Sequence, residues 1–122
     1  MARKKAASCS LGGAVYVFCG EDSSSDALNS IEVLRDACSS PQLLSEWSLI
    51  SMPETILSAR YMPAAAPISD SEIAIIGGLS ESQDEDELNA LGDVILFDTN
   101  RQEASKVVKN YAGLIQIYAP LN

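Results

Sequence analysis

Histidine is absent from the 122 residues, tryptophan occurs once, and only 8 basic residues stand against 17 acidic ones. Without histidine the chain lacks the commonest general base, any Ser-His or Cys-His nucleophile pair, and most zinc sites. The three cysteines, Cys9, Cys19 and Cys38, are odd in number and contain no CxxC spacing. They suit neither a disulfide scaffold nor a structural metal site, and a free cysteine in a strand behaves as a small apolar residue. No apolar run approaches the roughly 20 residues of a membrane-spanning helix. There is no Asn-x-Ser/Thr sequon. A net charge of −9 repels phosphate backbones. These absences lead us to expect no cofactor, no metal, no nucleic-acid partner and no membrane, in a reducing, cytoplasmic setting.

What is present is globular in composition, 47% hydrophobic and 20% charged. It is also repetitive. Val15-Tyr16-Val17-Phe18-Cys19-Gly20 and Ile73-Ala74-Ile75-Ile76-Gly77-Gly78 are apolar runs ending in glycine, 58 positions apart from Gly20 to Gly78. The turn pairs Gly12-Gly13 and Asp70-Ser71, and the small residues Ala6-Ala7 and Ala64-Ala65, keep that spacing. Asn29 to Leu34 corresponds to Gly92 to Phe97, with five extra residues in the acidic loop between Glu81 and Glu87. Trp47-Ser48-Leu49-Ile50 lines up with Ser105-Lys106-Val107-Val108. Arg3-Lys4-Lys5 ahead of an apolar run has the outline of a secretory signal, but Gly12-Gly13 interrupts it and the segment recurs as part of the repeat.

Four short strands repeated at a period near 58 are the mark of propeller blades. The runs are continuously apolar and rich in β-branched and aromatic residues, which predicts strands covered on both faces. Gly77-Gly78, Phe97-Asp98, Trp47, Met52-Pro53 and Arg60 together make the chain resemble the kelch-repeat family. The resemblance covers nearly all of residues 1–110 and departs where Cys19-Gly20 replaces the glycine doublet and Ser105 stands opposite Trp47. It implies an all-β fold, a kelch-type β-propeller fragment of two four-stranded antiparallel blades plus one extra strand. Repeat 1 would span 1–53 and repeat 2 would span 54–110. Residues 111–122 would supply a trailing strand of an incomplete third blade or a closing strand. The segment 36–46 has no strand pattern and could hold a helical turn.

The physical roles follow from residue type. A doublet such as Gly77-Gly78 lets the chain leave a strand sharply at positive φ, close to other backbone, and Trp47 is expected to wedge between blades. Met52-Pro53 stops the outer strand, because proline cannot donate to a ladder. Asp84 and Asp86 lie in an acidic run with no calcium-loop spacing, so a solvated loop is the reading. Glu21, Asp22 and Asp26 occupy the matching loop of the first copy. In kelch-like propellers such loops often meet partners, which makes Glu21, Asp22, Asp26, Asp84 and Asp86 partner-binding candidates. Arg60 resembles the family arginine near the channel mouth, where it can grip a carboxylate with both arms. Tyr61 and Met62 beside it are expected to be packing residues.

The resemblance therefore implies a non-catalytic protein-interaction module with a protein partner. Two blades also leave apolar faces open, through which the chain is expected to self-associate. A second reading is a truncated or degenerate fragment of a larger propeller without independent function. A third, part of a carbohydrate-active or oxidase propeller, would need residues outside these 122.

Overall fold

The computed structural model describes residues 2–35, 46–81, 87–109 and 115–118. Among them there is no helix, and the elements are eleven strands. The helical turn expected over 36–46 lies almost wholly outside the described residues. Asp84, Asp86 and Cys38 lie outside them too.

The first sheet is an antiparallel meander of β1 (Ala7–Leu11), β2 (Ala14–Phe18), β3 (Ile31–Leu34) and β4 (Trp47–Ile50), in that spatial order. Gly12 and Gly13, both at positive φ, make the two-residue turn joining β1 to β2. Two such residues match the right-handed twist of a hairpin. The second sheet holds β5 (Ala64–Pro67), β6 (Glu72–Ile76), β9 (Val94–Asp98), β10 (Glu103–Lys109) and β11 (Ile115–Tyr118). Its neighbours are antiparallel, and the strand near the end of the chain, β11, pairs with β10 as a fifth member. A hairpin of β7 (Leu79–Glu81) and β8 (Leu88–Ala90), which sequence reasoning left as loop, fills the connection between β6 and β9.

The two sheets pack face to face. Tyr16, Phe18, Ile31 and Val33 of the first meet Ile73, Ile75, Ile95 and Phe97 of the second, all buried. The rings of Tyr16 and Phe18 both lie 5.9 Å from that of Phe97, edge to face. Such pairs add about 0.5–1.5 kcal/mol each to the area they bury. Coverage of both faces holds only in part. β6 and β9 bury three consecutive residues, whereas β2 alternates buried and half-buried.

Trp47 does not lie between the two described sheets. It is 49% exposed and pairs with Leu34, which places it on the face of the first sheet turned away from the second. A strand's side chains alternate, so the face holding Tyr16 and Val33 cannot also hold Trp47. The pairing also shifts the repeat alignment by one. Leu34 matches Phe97, and Phe97 pairs with Ala104, so Ala104 rather than Ser105 stands where Trp47 would repeat.

The repeat is sharper in the backbone than in the sequence. Cys19 and Gly20 sit at φ 61° and 93°, Gly77 and Gly78 at 62° and 106°. Cys19 donates its N–H to Ser30 O (3.0 Å), as Gly77 does to Asp93 O (3.0 Å). Leu28 donates to Gly20 O (2.8 Å), as Leu91 does to Gly78 O (2.9 Å). Lys4 and Glu21 exchange backbone bonds, as Tyr61 and Leu79 do.

Candidate functional site

Each repeat is closed by a buried arginine. Arg60 is fully buried at 0% exposure. Its Nη1 and Nη2 donate to the two carboxylate oxygens of Asp93 at 2.7 and 2.9 Å. Nη1 also donates to Gly77 O (2.9 Å), Nε to Ser58 O (3.0 Å) and Nη2 to Ser58 Oγ (3.0 Å). A guanidinium has five N–H donors, and here each has an acceptor. The hydrogen bonds from Arg60 hold the Asp93 carboxyl below its ordinary value, although partial burial pulls the other way. The grip on a carboxylate expected of Arg60 is thus made inside the chain.

Arg3 is the counterpart that sequence reasoning missed. Its Nη1 donates to Cys19 O (2.8 Å) and Ser30 O (3.0 Å), its Nη2 to Ser30 Oγ (3.1 Å), and its Nε lies 3.1 Å from Glu32 Oε2. Cys19 matches Gly77 and Ser30 matches Asp93, so both arginines tie the first doublet residue to the start of the third strand. The signal was present in the sequence. Arg3 and Arg60 are 57 positions apart, beside alanines at 58. The basic cluster at Arg3–Lys5 is accordingly part of the repeat.

The loop candidates divide by role. Glu21 is buried, and its Oε1 lies 3.3 Å from both Lys4 Nζ and Lys5 Nζ. The Asp22 carboxylate accepts from the N–H groups of Ser24 (2.9 Å) and Asp26 (3.1 Å), making a local turn. Asp98 does the same for Asn100 and Arg101 after β9. Asp26 is exposed. Reversing Glu21, Asp22 and Asp26 together is therefore not the harmless surface change their sequence suggests, since Glu21 would become a buried cation beside two lysines.

These loops enclose an open cleft of about 570 Å³ lined by Lys4, Lys5, Glu21, Ser25, Tyr61, Met62, Glu81, Glu87 and Leu88. At its floor Tyr61 is buried, with its hydroxyl donating to the Glu81 carboxylate and lying 3.1 Å from Ser25 O. Met62 is exposed at φ 50°, and Leu88 is exposed opposite. Tyr61 packs as expected; Met62 does not, because its backbone turns it out. A smaller hollow of about 340 Å³ beside the cleft carries Asp26, Glu54 and Glu81. Among the described residues no group of three or more cysteines and carboxylates is placed to hold a metal ion, and no helix is long and apolar enough to cross a membrane.

Two protonated groups give the fold an alkaline limit. Burial pushes the Cys19 thiol up to about 12. Tyr61 is likewise raised to about 12, by burial first and then by its bond to Glu81 and the nearby charges of Glu81, Glu21 and Asp26. The folded chain keeps these protons where the unfolded chain has lost them, so their contribution is complete below pH about 9 and falls as pH rises towards 12. Urea midpoints should hold steady from pH about 7 to 9 and then decline, and Tyr61→Phe should flatten the upper part of that decline. A midpoint that is level up to pH about 11.5 would contradict the burial of both groups.

No protein-family model matches this chain, and no curated protein matches its sequence.

Proposed function

We infer that this chain is a stretch of kelch-type propeller serving as a non-catalytic protein-interaction module, which receives a basic and apolar segment of its partner in the loop cleft. The cleft itself carries the reading. It joins two exposed apolar side chains, Met62 and Leu88, to a rim bearing Glu81 and Glu87, with Asp26 and Glu54 in the adjoining hollow. Lys4 and Lys5 share the single carboxylate of Glu21, so one positive charge is left against the four acids Asp26, Glu54, Glu81 and Glu87. Apolar anchors within a polar, water-excluding rim are the usual anatomy of a protein interface. The repeated arginine clamps and glycine turns support the kelch reading, and they act as frame for the loops.

Peptides selected from a random displayed library on the immobilised chain should pair Lys or Arg with a large apolar residue. Their binding should weaken as salt rises. The Met62→Asp, Leu88→Asp double variant should lose at least about tenfold in affinity, since each anchor contributes about 1.5–3 kcal/mol when buried. Selected peptides that shift amides on the strands and leave Lys5, Ser25, Met62 and Leu88 untouched would refute the cleft as the site.

A further inference from the structure

The junction between the two repeats is a template, and half of it is displayed again, open, at the far side of the second repeat. At the junction Gly20 donates its N–H to Arg60 O (2.9 Å), and Leu28 O accepts from Arg60 N–H (3.1 Å). Met62 donates to Lys5 O (2.7 Å) alongside. The matching groups in the second repeat are Gly78 N–H and Leu91 C=O, held in the same arrangement by the bond from Leu91 N–H to Gly78 O. Neither of these two groups has a hydrogen-bond partner among the described residues.

The side chains repeat the pattern. Phe18 and Ile31 of the first sheet are fully buried where it meets the second. Their counterparts Ile76 and Val94 pair with each other and lie in one row with Ala64 and Val107. Ile76 is 45% exposed, and Ala64, Val94 and Val107 are exposed or half-buried. In the other direction, Ile73, Ile75, Phe97 and Ala104 of the second sheet are buried at the junction. Their counterparts on the first sheet are Val15, Val17, Leu34 and Trp47, none of them buried, with Leu49 beside them at 54% exposure; in the same row the counterpart of Ile95 is Glu32, buried and ion-paired with Arg3. The chain thus carries one face shaped like the giving side of its own junction and one shaped like the receiving side.

We propose that a second copy of this chain docks head to tail, laying the outer face of its first sheet on the outer face of this chain's second sheet. The segment leading into its β1, the counterpart of Arg60–Pro63, reaches Gly78 N–H and Leu91 C=O. The interface is heterologous, so successive copies build a ring if the rotation closes. A second copy is the occupant because its first sheet repeats, strand for strand, the sheet that the internal junction shows packing there, with Trp47 in place of Ala104 and Glu32 in place of Ile95.

Trp47 is the only tryptophan and lies on the outer face of the first sheet. Its emission should shift to the blue as protein concentration rises, in step with sedimentation from a 13.0 kDa monomer to larger species. The Gly78 amide should gain protection from hydrogen exchange over the same range, while that of Gly20 is protected at every concentration. Ile76→Glu and Leu49→Glu each spoil one face, and each variant alone should sediment as a monomer with an unchanged β spectrum. Mixed in equal amounts they should form a dimer and nothing larger, because one intact face of each kind remains. If glutamate lowers the β content, the Gly78 exchange profile of the unaltered chain decides alone. Monomers at about 100 µM, a concentration that detects contacts with Kd well above micromolar, would overturn the proposal. So would a Leu49→Glu variant that still dimerises, since that requires like faces to meet.

Discussion

Replacing Arg60 with alanine is expected to lower the unfolding free energy by about 3–5 kcal/mol, the cost of breaking a buried, hydrogen-bonded charge pair. The number is large because a domain of this kind has only about 5–15 kcal/mol in total. The substitution strips an acceptor's partner from Gly77 O, Ser58 O and both Asp93 oxygens at once. It removes in one step the tie between the β6 turn and the start of β9. Arg60→Lys should recover only part of the loss, because an ammonium cannot span both carboxylate oxygens and reach the two carbonyls as well. Asp93→Asn should cost about as much, about 3–5 kcal/mol, because it leaves the fully buried Arg60 guanidinium without its counter-charge.

Acid tests the same pair by a second route. Asp93 is depressed in the folded chain, so its contribution is present above pH about 4 and is lost as pH falls through the folded value. That slope should vanish in Asp93→Asn and, because Arg60 is its cause, in Arg60→Ala as well, and persist in unrelated surface variants. Urea unfolding followed by far-UV circular dichroism measures all three variants. An Arg60→Ala chain within about 1 kcal/mol of the parent would mean that the clamp is incidental to stability.

Strand positions were legible because they depend on local chemistry. β-branched and aromatic runs bounded by glycine and turn residues marked β2, β3, β6 and β9, and the common spacing marked the repeat. Facing was harder to read. Val15-Tyr16-Val17-Phe18 looks apolar throughout, yet only Tyr16 and Phe18 are buried, because the first sheet has the second on one side alone. The size of Trp47 suggests a wedge but not which face it serves, because register decides the face and is fixed by partners far along the chain. The arginine clamp was half legible. Arg60 stood out in the motif, whereas Arg3 was hidden in a basic cluster and one residue out of phase. Nor did Glu32 announce itself, a buried acid in a strand whose counterpart is Ile95. Its partner is a side chain 29 positions earlier, Arg3, and only the fold brings the two together. The cleft was legible as a pair of loops, but its floor was not, since Tyr61 and Glu81 meet through a bridge between the β5 approach and β7.

The two positions of each glycine doublet should respond very differently to a single methyl group. Gly20 lies at φ 93°, and a Cβ there would sit 2.5 Å from Lys4 O and 3.0 Å from the Ala6 Cβ. At Gly78, φ is 106° and the clash is with Tyr61 O at 2.8 Å. Both obstructing oxygens are backbone, and both belong to residues held in paired bridges with Glu21 and Leu79. They cannot swing aside as a flexible side chain would. Gly20→Ala and Gly78→Ala should each cost about 3 kcal/mol or more, combining a left-handed penalty of about 1–2 kcal/mol with the displacement of a paired strand. The first position is another matter. Gly77 has the same φ as Cys19, and its nearest obstruction is Leu91 O at 3.2 Å. The first repeat already places a full side chain there, buried and at φ 61°. Gly77→Ala should therefore cost only about 1 kcal/mol, the local price of positive φ for an L-residue. The ordering is the test. Urea midpoints in which Gly77→Ala falls as far as Gly78→Ala would show that the doublet is needed for its conformation alone, and that the close approach of the backbones at Lys4 and Tyr61 does not govern the turn.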